Sequence, residues 1–358
     1  MNLLIITQKV DINDDVLGFM HGWIAEFAKH CEKLTVICLQ KSEYSLPGNI
    51  KILSLGKNNY QLRINNYELF KKIKYLFNFY RYIWRERKNY DAVFVHMNQI
   101  YVILGGFLWR LWHKKIALWY AHGQVSFSLK IAKKLTDVIF TSTKSGFRLK
   151  SKKIKVIGQG IDVNKLIIKN YELNNNDNFK IIAIGRISPV KNYETLIEAV
   201  EILHKERIKL SVDIIGQAGT AEQEKYFAGL KKMVQDKNLG DIINFRGAVP
   251  NKNIVECLHS ADLFVSTGLT GSLDKAMAEA MSCGLPLLTC NEAMFEVLGE
   301  YKEKLMYNKK DFTQLSDKIK MIINLDKNEK QKMAGDLRDI VINNHSLENF
   351  VKKIVNDL

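Results

Sequence analysis

The sequence lacks several features that mark particular classes of protein. Its five cysteines are odd in number and form no C-x-x-C pair, which disfavours a disulfide framework and a structural zinc site. No apolar run reaches the roughly 18 residues that a membrane-spanning helix needs. Residues 1–9 (MNLLIITQK) have too short an apolar run for a signal peptide and no positive leader, so they are predicted to be the first strand. We therefore expect a reduced, cytoplasmic protein.

Length and pattern predict a two-domain α/β protein. The chain has 358 residues, of which 47% are hydrophobic and 25% charged, as is ordinary for globular proteins. Short apolar strands alternate with helical segments along most of the chain. This alternation predicts parallel sheets with helices on both faces.

Acidic residues are scarce in the first half, and the whole positive excess lies there. The net charge is +15. Residues 63–88 carry eight basic residues against two acids, residues 110–115 three against none, and residues 130–155 nine against one. The summed charge of these segments is larger than the net charge of the whole chain, so the remaining residues carry a small negative net charge. An anionic membrane surface or a nucleic acid would be attracted.

Residues 66–88 are predicted to form a long amphipathic helix. Apolar side chains recur every three or four residues and are expected to pack on the sheet: Leu69, Ile73, Leu76, Tyr80 and Ile83. The window also holds eight aromatic residues, more than one buried face can hide. Aromatic and basic residues on one helix are typical of an interfacial membrane helix. Residues 100–112, with 113–115, favour a second helix near lipid headgroups.

Residues 261–290 contain a strand, a loop of small residues and a helix start. Leu263–Val265 is apolar, the loop runs from Thr267 to Ser272, and strong helix formers follow from Lys275. Free backbone N–H groups and the positive end of the helix dipole would meet there, which predicts an anion site. Glu279 lies one turn further in, where its carboxylate can accept from two adjacent hydroxyls, as on a ribose. An ordinary structural strand–loop–helix unit is the alternative.

Residues 181–197 (IIAIGRISPVKNYETLI) predict a second cationic element. An apolar strand is followed by Gly185, Arg186, a proline-bearing turn, Lys191 and a helix. Both cations would therefore project from the carboxyl end of a strand, where α/β sheets bind ligands. A guanidinium and an ammonium together suit a diphosphate, although two solvated surface cations are the commoner arrangement.

These two stretches resemble the donor-binding half of the family-4 retaining glycosyltransferases, some of which act in bacterial surface-polysaccharide synthesis. The family shows G-R-x4-K, matched by Gly185, Arg186 and Lys191, and later a paired-glutamate motif ending E-A-M-A-C-G-x-P, matched from Glu279 to Pro286. The family's first glutamate, however, falls on Gly271. Its task would pass to Asp274, Lys275 or backbone amides, or would not be performed at all.

The resemblance implies the GT-B fold, in which two Rossmann-like domains face each other across a cleft. It implies an acceptor-binding domain over residues 1–165, joined by a returning helix in 345–358, and a donor-binding domain over residues 175–344. The polar segment 174–178 is the expected connector.

The resemblance also assigns site residues. His122, preferred over His96, would face the donor sugar, Gly18 would let a phosphate approach, and the nucleobase would lie against the loop that contains Val249. The implied catalytic residues are Arg186, Lys191, His122 and Glu279. The implied donor-binding residues are Gly18, Gly185, Gly216, Val249, Gly271, Ser272, Leu273, Asp274, Lys275 and Glu279.

The resemblance implies transfer of a sugar from a nucleotide-diphosphate donor, by family frequency a UDP-sugar, to a hydroxyl acceptor with retention. We expect no cofactor and no required metal. The acceptor is expected to be lipid-linked or a glycan, and the protein to lie at the inner face of the cell membrane through residues 63–88 and 100–115. Open alternatives are a nucleotide-sugar 2-epimerase and a weakly catalytic donor-binding or scaffold subunit. Nucleic-acid binding is disfavoured because no recognition motif is present.

Overall fold

Two parallel β-sheets form the framework of the chain. The computed structural model describes residues 1–57, 67–166 and 178–358. The seven-stranded sheet has the order β3-β2-β1-β4-β5-β6-β7, and the five-stranded sheet the order β10-β9-β8-β11-β12. The strands of the first sheet are β1 (Asn2–Val10), β2 (Lys33–Lys41), β3 (Ile50–Ser54), β4 (Ala92–His96), β5 (Lys115–Trp119), β6 (Val138–Thr141) and β7 (Ile154–Val156). Those of the second are β8 (Phe179–Ile184), β9 (Leu210–Ile215), β10 (Ile243–Gly247), β11 (Leu263–Ser266) and β12 (Leu287–Thr289).

Helices connect most of the successive strands, as is usual for parallel pairing. The α-helices of the described residues are α1 (Phe19–His30), α2 (Tyr67–Arg85), α3 (Ile100–Leu111), α4 (Phe127–Leu135), α5 (Tyr193–Lys205), α6 (Ala221–Asp236), α7 (Ile254–His259), α8 (Lys275–Ser282), α9 (Met294–Val297), α10 (Lys302–Leu305), α11 (Phe312–Ile323), α12 (Lys327–His345) and α13 (Leu347–Asp357).

The described residues divide into two compact units. The first comprises Met1–Gly160, Pro250–Lys252 and Leu347–Leu358, and the second Ile161–Val249 and Asn253–Ser346. The expected connector at 174–178 lies outside the described residues except for its last position.

Central strands of both sheets are mostly apolar because helices cover both of their faces. In β1 the segment from Leu3 to Thr7 is fully buried, and β1 pairs with β2 and β4 so that Leu3 is opposite Leu34 and Ala92. In the second sheet Ile182 of β8 is opposite Asp213 of β9 and Phe264 of β11. The predicted α/β class with two parallel sheets is confirmed.

The last helix, α13, completes the core of the first unit. Phe350 is fully buried, with its ring centroid 4.2 Å from that of Trp23 on α1 and 4.9 Å from that of Trp119 on β5. The indole of Trp23 donates a hydrogen bond to the Gly160 carbonyl at 2.8 Å. The opposite ends of the chain therefore share one aromatic cluster.

The predicted buried face of α2 is wrong in part. Phe79 and Ile83 are buried, but Ile73 is 55% and Leu76 41% exposed. Apolar residues occupy so many positions of this helix that their spacing did not select one face. The side chain of Leu69, like residues 63–66 of the predicted membrane segment, lies outside the described residues.

Candidate functional site

The carboxyl-terminal edge of the five-stranded sheet gathers most of the predicted site residues. Gly185 follows β8, Gly216 follows β9, Gly247 ends β10, and the loop that follows β11 leads into α8. Because all five strands are parallel and ordered β10-β9-β8-β11-β12, these strand ends lie side by side. This is the edge at which open α/β sheets bind ligands.

Gly185 and Gly216 are held in very close backbone contact. The Gly185 N–H donates to the Ile215 carbonyl at 2.9 Å, and the Gly216 N–H donates to the Gly247 carbonyl at 2.8 Å. A Cβ atom on Gly216 would lie 2.0 Å from the Gly185 carbonyl oxygen. Only glycine fits at position 216 without moving the turn that carries Arg186.

A tyrosine pair that the sequence pattern did not reveal supports the same turn. Tyr193 is buried, and its hydroxyl donates to the Gly185 carbonyl at 2.9 Å. Its backbone N–H donates to the hydroxyl of Tyr226 at 3.1 Å, and that hydroxyl donates to Glu194 at 2.5 Å. Burial raises the pKa of both tyrosines, so both hydroxyls stay protonated and able to donate at neutral pH.

The loop after β11 meets the turn that carries Lys191. The Lys191 ammonium forms an ion pair with the Asp274 carboxylate. The two backbones are also joined, since the Thr267 hydroxyl donates to the Lys191 carbonyl at 2.5 Å and the Leu269 N–H to the Val190 carbonyl at 2.9 Å. The two sequence stretches that suggested the site are therefore in direct contact.

Arg186 stands apart from these contacts, and its side chain is exposed at the same turn. Among the described residues, none forms a hydrogen bond or ion pair with the Arg186 guanidinium, whereas its backbone carbonyl accepts from the Ser188 hydroxyl at 3.5 Å. Lys191 lies across Gly185, because a Cβ atom there would approach the Lys191 Cε to 2.7 Å. One cation is thus open to solvent and the other is held against the loop.

Gly271 has a left-handed backbone, with φ of +66°. In this region a side chain is unfavourable, so the loop has a local reason to carry glycine where the family has its first glutamate. The next residue is fixed by Asn291, which is buried and donates from Nδ2 to the Ser272 carbonyl at 2.7 Å. Asn291 was missed by sequence reasoning, although a polar residue close after the buried strand β12 was the available signal.

Lys275 and Glu279 lie one turn apart on α8. Leu273 before them is buried, and both charged residues are half-buried. Burial lowers the pKa of Lys275 to about 8, and the nearby carboxylates of Glu279 and Asp274 oppose this shift. Glu279 thus has a cationic neighbour on its own helix, and its role toward a ribose stays a prediction.

Val249 is half-buried and packs against the core of the second unit. The segment that follows begins with a 3₁₀ turn at Asn251–Asn253 and continues as α7.

His122 and Gly18 belong to the first unit. His122 is exposed just beyond β5, and its Nδ1 accepts from the Gln124 N–H at 3.0 Å, so the neutral ring carries its proton on Nε2. The Arg148 side chain, which sequence reasoning did not select, packs against the adjacent Gly123. The rejected candidate His96 is buried among the rings of Phe19 and Trp23.

Gly18 is buried directly before α1, and a Cβ atom there would lie 2.4 Å from the Asp14 carbonyl oxygen. Neither Asp14 nor Asp15 is the N-cap of this helix. The N-cap is Gly18, without a side-chain cap, and the Asp14 carboxylate instead accepts from the N–H groups of Val16 and Leu17.

Among residues 1–57, 67–166 and 178–358, no three His, Cys, Asp or Glu side chains are grouped to hold a metal ion. In the same ranges, no helix combines the length and the apolar character needed to cross a bilayer.

Comparison with known proteins relates the second unit to a known family. Residues 164–337 match the family model described as "Glycosyl transferases group 1". The match covers just under half of the chain, and over these residues the chain is similar to a glycosyltransferase group 1 domain. This domain covers the Arg186–Lys191 turn, the loop after β11 and α8.

Two curated proteins with similar sequences are also named glycosyltransferases. The D-inositol 3-phosphate glycosyltransferase of Paenarthrobacter aurescens is 29% identical over 117 residues, which are 32% of this chain and 28% of the relative. The amylovoran biosynthesis glycosyltransferase AmsK of Erwinia amylovora is 27% identical over 157 residues, 42% of this chain and 37% of the relative. These alignments span well under half the length of the relatives.

The whole chain has the GT-B fold. The crystal structure of Anabaena HepE in complex with UDP and glucose aligns with a TM-score of 0.75 at 16% identity, covering 100% of this chain and 99% of HepE. Sucrose-phosphate synthase from Thermosynechococcus elongatus aligns with a TM-score of 0.79 at 13% identity, covering 99% and 98%. The predicted fold is confirmed.

Proposed function

We propose that this protein is a retaining glycosyltransferase that moves a sugar from a nucleoside-diphosphate sugar to a hydroxyl acceptor. The contact between the Arg186–Lys191 turn and the loop before α8 carries the proposal. Through this contact Lys191 lies next to the start of α8, and Arg186 is exposed at the same edge of the second sheet. That combination suits a diphosphate leaving group. A UDP-sugar is the proposed donor, in keeping with the UDP bound by HepE.

Arg186 and Lys191 would act by electrostatic stabilisation. Negative charge grows on the diphosphate as the glycosidic bond breaks, and fixed cations there lower the barrier by about 3 kcal/mol each. Glu279 would hold the ribose, and His122 would donate from Nε2 to the donor sugar. In the proposed front-face route, the leaving phosphate takes the proton of the acceptor hydroxyl as the new bond forms. These cations would supply the charge stabilisation, so no divalent ion is required.

We propose a lipid-linked or glycan acceptor at the inner surface of the cell membrane. Support comes from an aromatic and basic surface on α2 and α3 of the first unit. Phe70, Phe77 and Trp84 of α2 are exposed, as are Phe107 and Leu111 of α3. Trp84 and Trp112 join the two helices through an edge-to-face contact of 5.7 Å, and Arg87 lies over Trp84 at 4.5 Å. Exposed aromatics beside cations suit an anionic bilayer surface.

Calorimetric titration with UDP, GDP and ADP tests the donor site. We expect UDP to bind the wild type, and Arg186→Ala to weaken its binding by about 10- to 100-fold because a charge-assisted contact is lost. Lys232→Ala, which removes an exposed cation of α6, is the charge-matched control and should bind as the wild type does. If the wild type binds none of the three nucleotides, the proposed function is wrong.

Product analysis separates the remaining alternatives. With a UDP-sugar and a lipid-linked acceptor, transfer gives a glycosylated acceptor and UDP. An epimerase would alter the sugar without an acceptor, and a scaffold subunit would bind the donor and release no product.

A further inference from the structure

The carboxylate of Asp274 is directed to Lys191 rather than to its own helix. Asp274 is the N-cap residue of α8, the position from which a carboxylate usually accepts a hydrogen bond from the first turn. It makes no such bond and forms an ion pair with the Lys191 ammonium instead. The side chains of Lys191 and Asp274 are only 18% and 29% exposed, so water screens the pair incompletely.

Lys191 has other contacts that keep its backbone in place. Its carbonyl accepts from Thr267, the carbonyl of the preceding Val190 accepts from the Leu269 N–H, and its aliphatic stem crosses Gly185. Asp274 therefore contributes a counter-charge more than a fixed position.

The pair lies where the proposed function needs a binding site for an anion. Lys191 lies beside the start of α8, a position that favours an anion, and in this structure the anion that its ammonium contacts is the protein's own Asp274 carboxylate. We propose that Asp274 is an internal counter-anion that competes with the nucleoside diphosphate for Lys191. The inference rests on the proposed function and adds a role for Asp274 in setting affinity for the donor and release of the product.

The exchange follows from charge alone. When a diphosphate enters, Lys191 turns from the Asp274 carboxylate to the phosphate oxygens, and the two anions then repel at short range. When the product leaves, Asp274 takes Lys191 back, so the cation is never left without a partner. Asp274 thus weakens the binding of nucleoside diphosphate and accelerates its dissociation. No covalent bond changes in this exchange.

The test measures UDP binding and dissociation in the full-length protein. Asp274→Asn should bind UDP about tenfold more tightly, through slower dissociation in stopped-flow displacement. Asp274→Glu, which keeps the charge, should resemble the wild type. Asp241→Asn removes an exposed carboxylate ahead of β10, at the opposite edge of the sheet, and should have no effect. Asp274→Ser introduces a neutral residue that is favoured at the N-cap, and it replaces Asp274→Asn in this test if the asparagine variant does not fold.

A double-mutant cycle shows whether the effect passes through Lys191. In a Lys191→Ala background, Asp274→Asn should change UDP affinity by much less than tenfold. Suppose the wild type binds UDP, but neither neutral Asp274 variant binds it more tightly. That result overturns the counter-anion role and leaves the proposed function intact. A wild type that binds no nucleoside diphosphate overturns the proposed function, and this role with it.

Discussion

At the scale of single residues, spacing along the chain predicted where the cations and glycines lie relative to the strands, but not which residues they contact. Arg186 and Lys191 follow a strand pattern that is visible locally, and they lie at the predicted strand end. The Lys191–Asp274 ion pair joins residues 83 positions apart. Asn291 and Tyr193 likewise act through contacts that only the folded chain brings together. Local patterns carry no information about such pairs, and the roles of His122 and Glu279 stay predictions.

Gly216 should tolerate no side chain. Gly216→Ala places a Cβ atom against the Gly185 carbonyl, so we expect the free energy of unfolding to fall by about 1–3 kcal/mol and UDP binding to weaken. Gly229→Ala is the matched control, because Gly229 is inside α6 with no atom within 4 Å of the position that a Cβ atom would take. That control should gain about 0.5–1 kcal/mol from helix propensity. Denaturant unfolding measures both, and equal effects would contradict the close approach.

Lys275 should give stability a distinctive dependence on pH. Its pKa is lowered to about 8 in the folded protein, from an ordinary value of 10.5. Between these values the unfolded chain binds more protons, so the contribution of Lys275 to stability rises with pH. Below pH 8 the lysine is charged in both states and its desolvation destabilises the fold.

Lys275→Met removes this titration. The stability of the variant relative to the wild type should therefore decrease as the pH rises from 8 to 10, as measured by denaturant unfolding at several pH values. A difference that stays constant with pH would contradict the lowered pKa.

At the scale of elements, the strands expected at residues 1–9 and 263–265 coincide with β1 and β11 within one residue at each end. Such strands are visible in the sequence because a parallel strand with helices on both faces is a short apolar run. The helix expected within residues 345–358 is also present, as α13. The orientation of α2 was the exception. Its many aromatic and aliphatic residues fit several faces equally well, and only packing decides that Phe79 is buried while Phe77 is exposed.

Exposed aromatics of α2 and α3 should determine vesicle binding. Phe77→Ser and Phe107→Ser remove side chains that are 66% and 73% exposed, so we expect each to weaken association with anionic vesicles by about tenfold at little cost in stability. Co-sedimentation with anionic and neutral vesicles measures this.

Phe295→Ser, which removes an exposed phenylalanine of the second unit, is the control. Equal binding by all of these variants, or no preference of the wild type for anionic vesicles, would contradict a membrane surface on α2 and α3.

At the scale of the whole molecule, a sequence pattern typical of two α/β domains was sufficient to predict two parallel sheets. The sequence pattern did not predict that each unit is built from separate segments of the chain. Leu347–Leu358 joins the first unit through the aromatic cluster around Trp23, more than 300 residues away along the chain. No local pattern predicts that association, and in the sequence it rested on the family resemblance.

Phe350→Ala should therefore loosen the first unit selectively. Loss of a fully buried phenylalanine costs about 3–5 kcal/mol. Hydrogen exchange should accelerate in α1 and β5, with little change in β8 and β9. Leu337→Ala, a buried change in the second unit, should give the reverse pattern. Uniform acceleration in both units would contradict the assignment of α13 to the first.

The position of α13 has a consequence for synthesis on the ribosome. The polypeptide emerges from its amino end, so Trp23 and Trp119 are made long before Phe350 covers them. The first unit cannot complete its core until residues 347–358 have been made, and a product that stops before residue 347 would keep an exposed aromatic surface for chaperones and proteases to recognise.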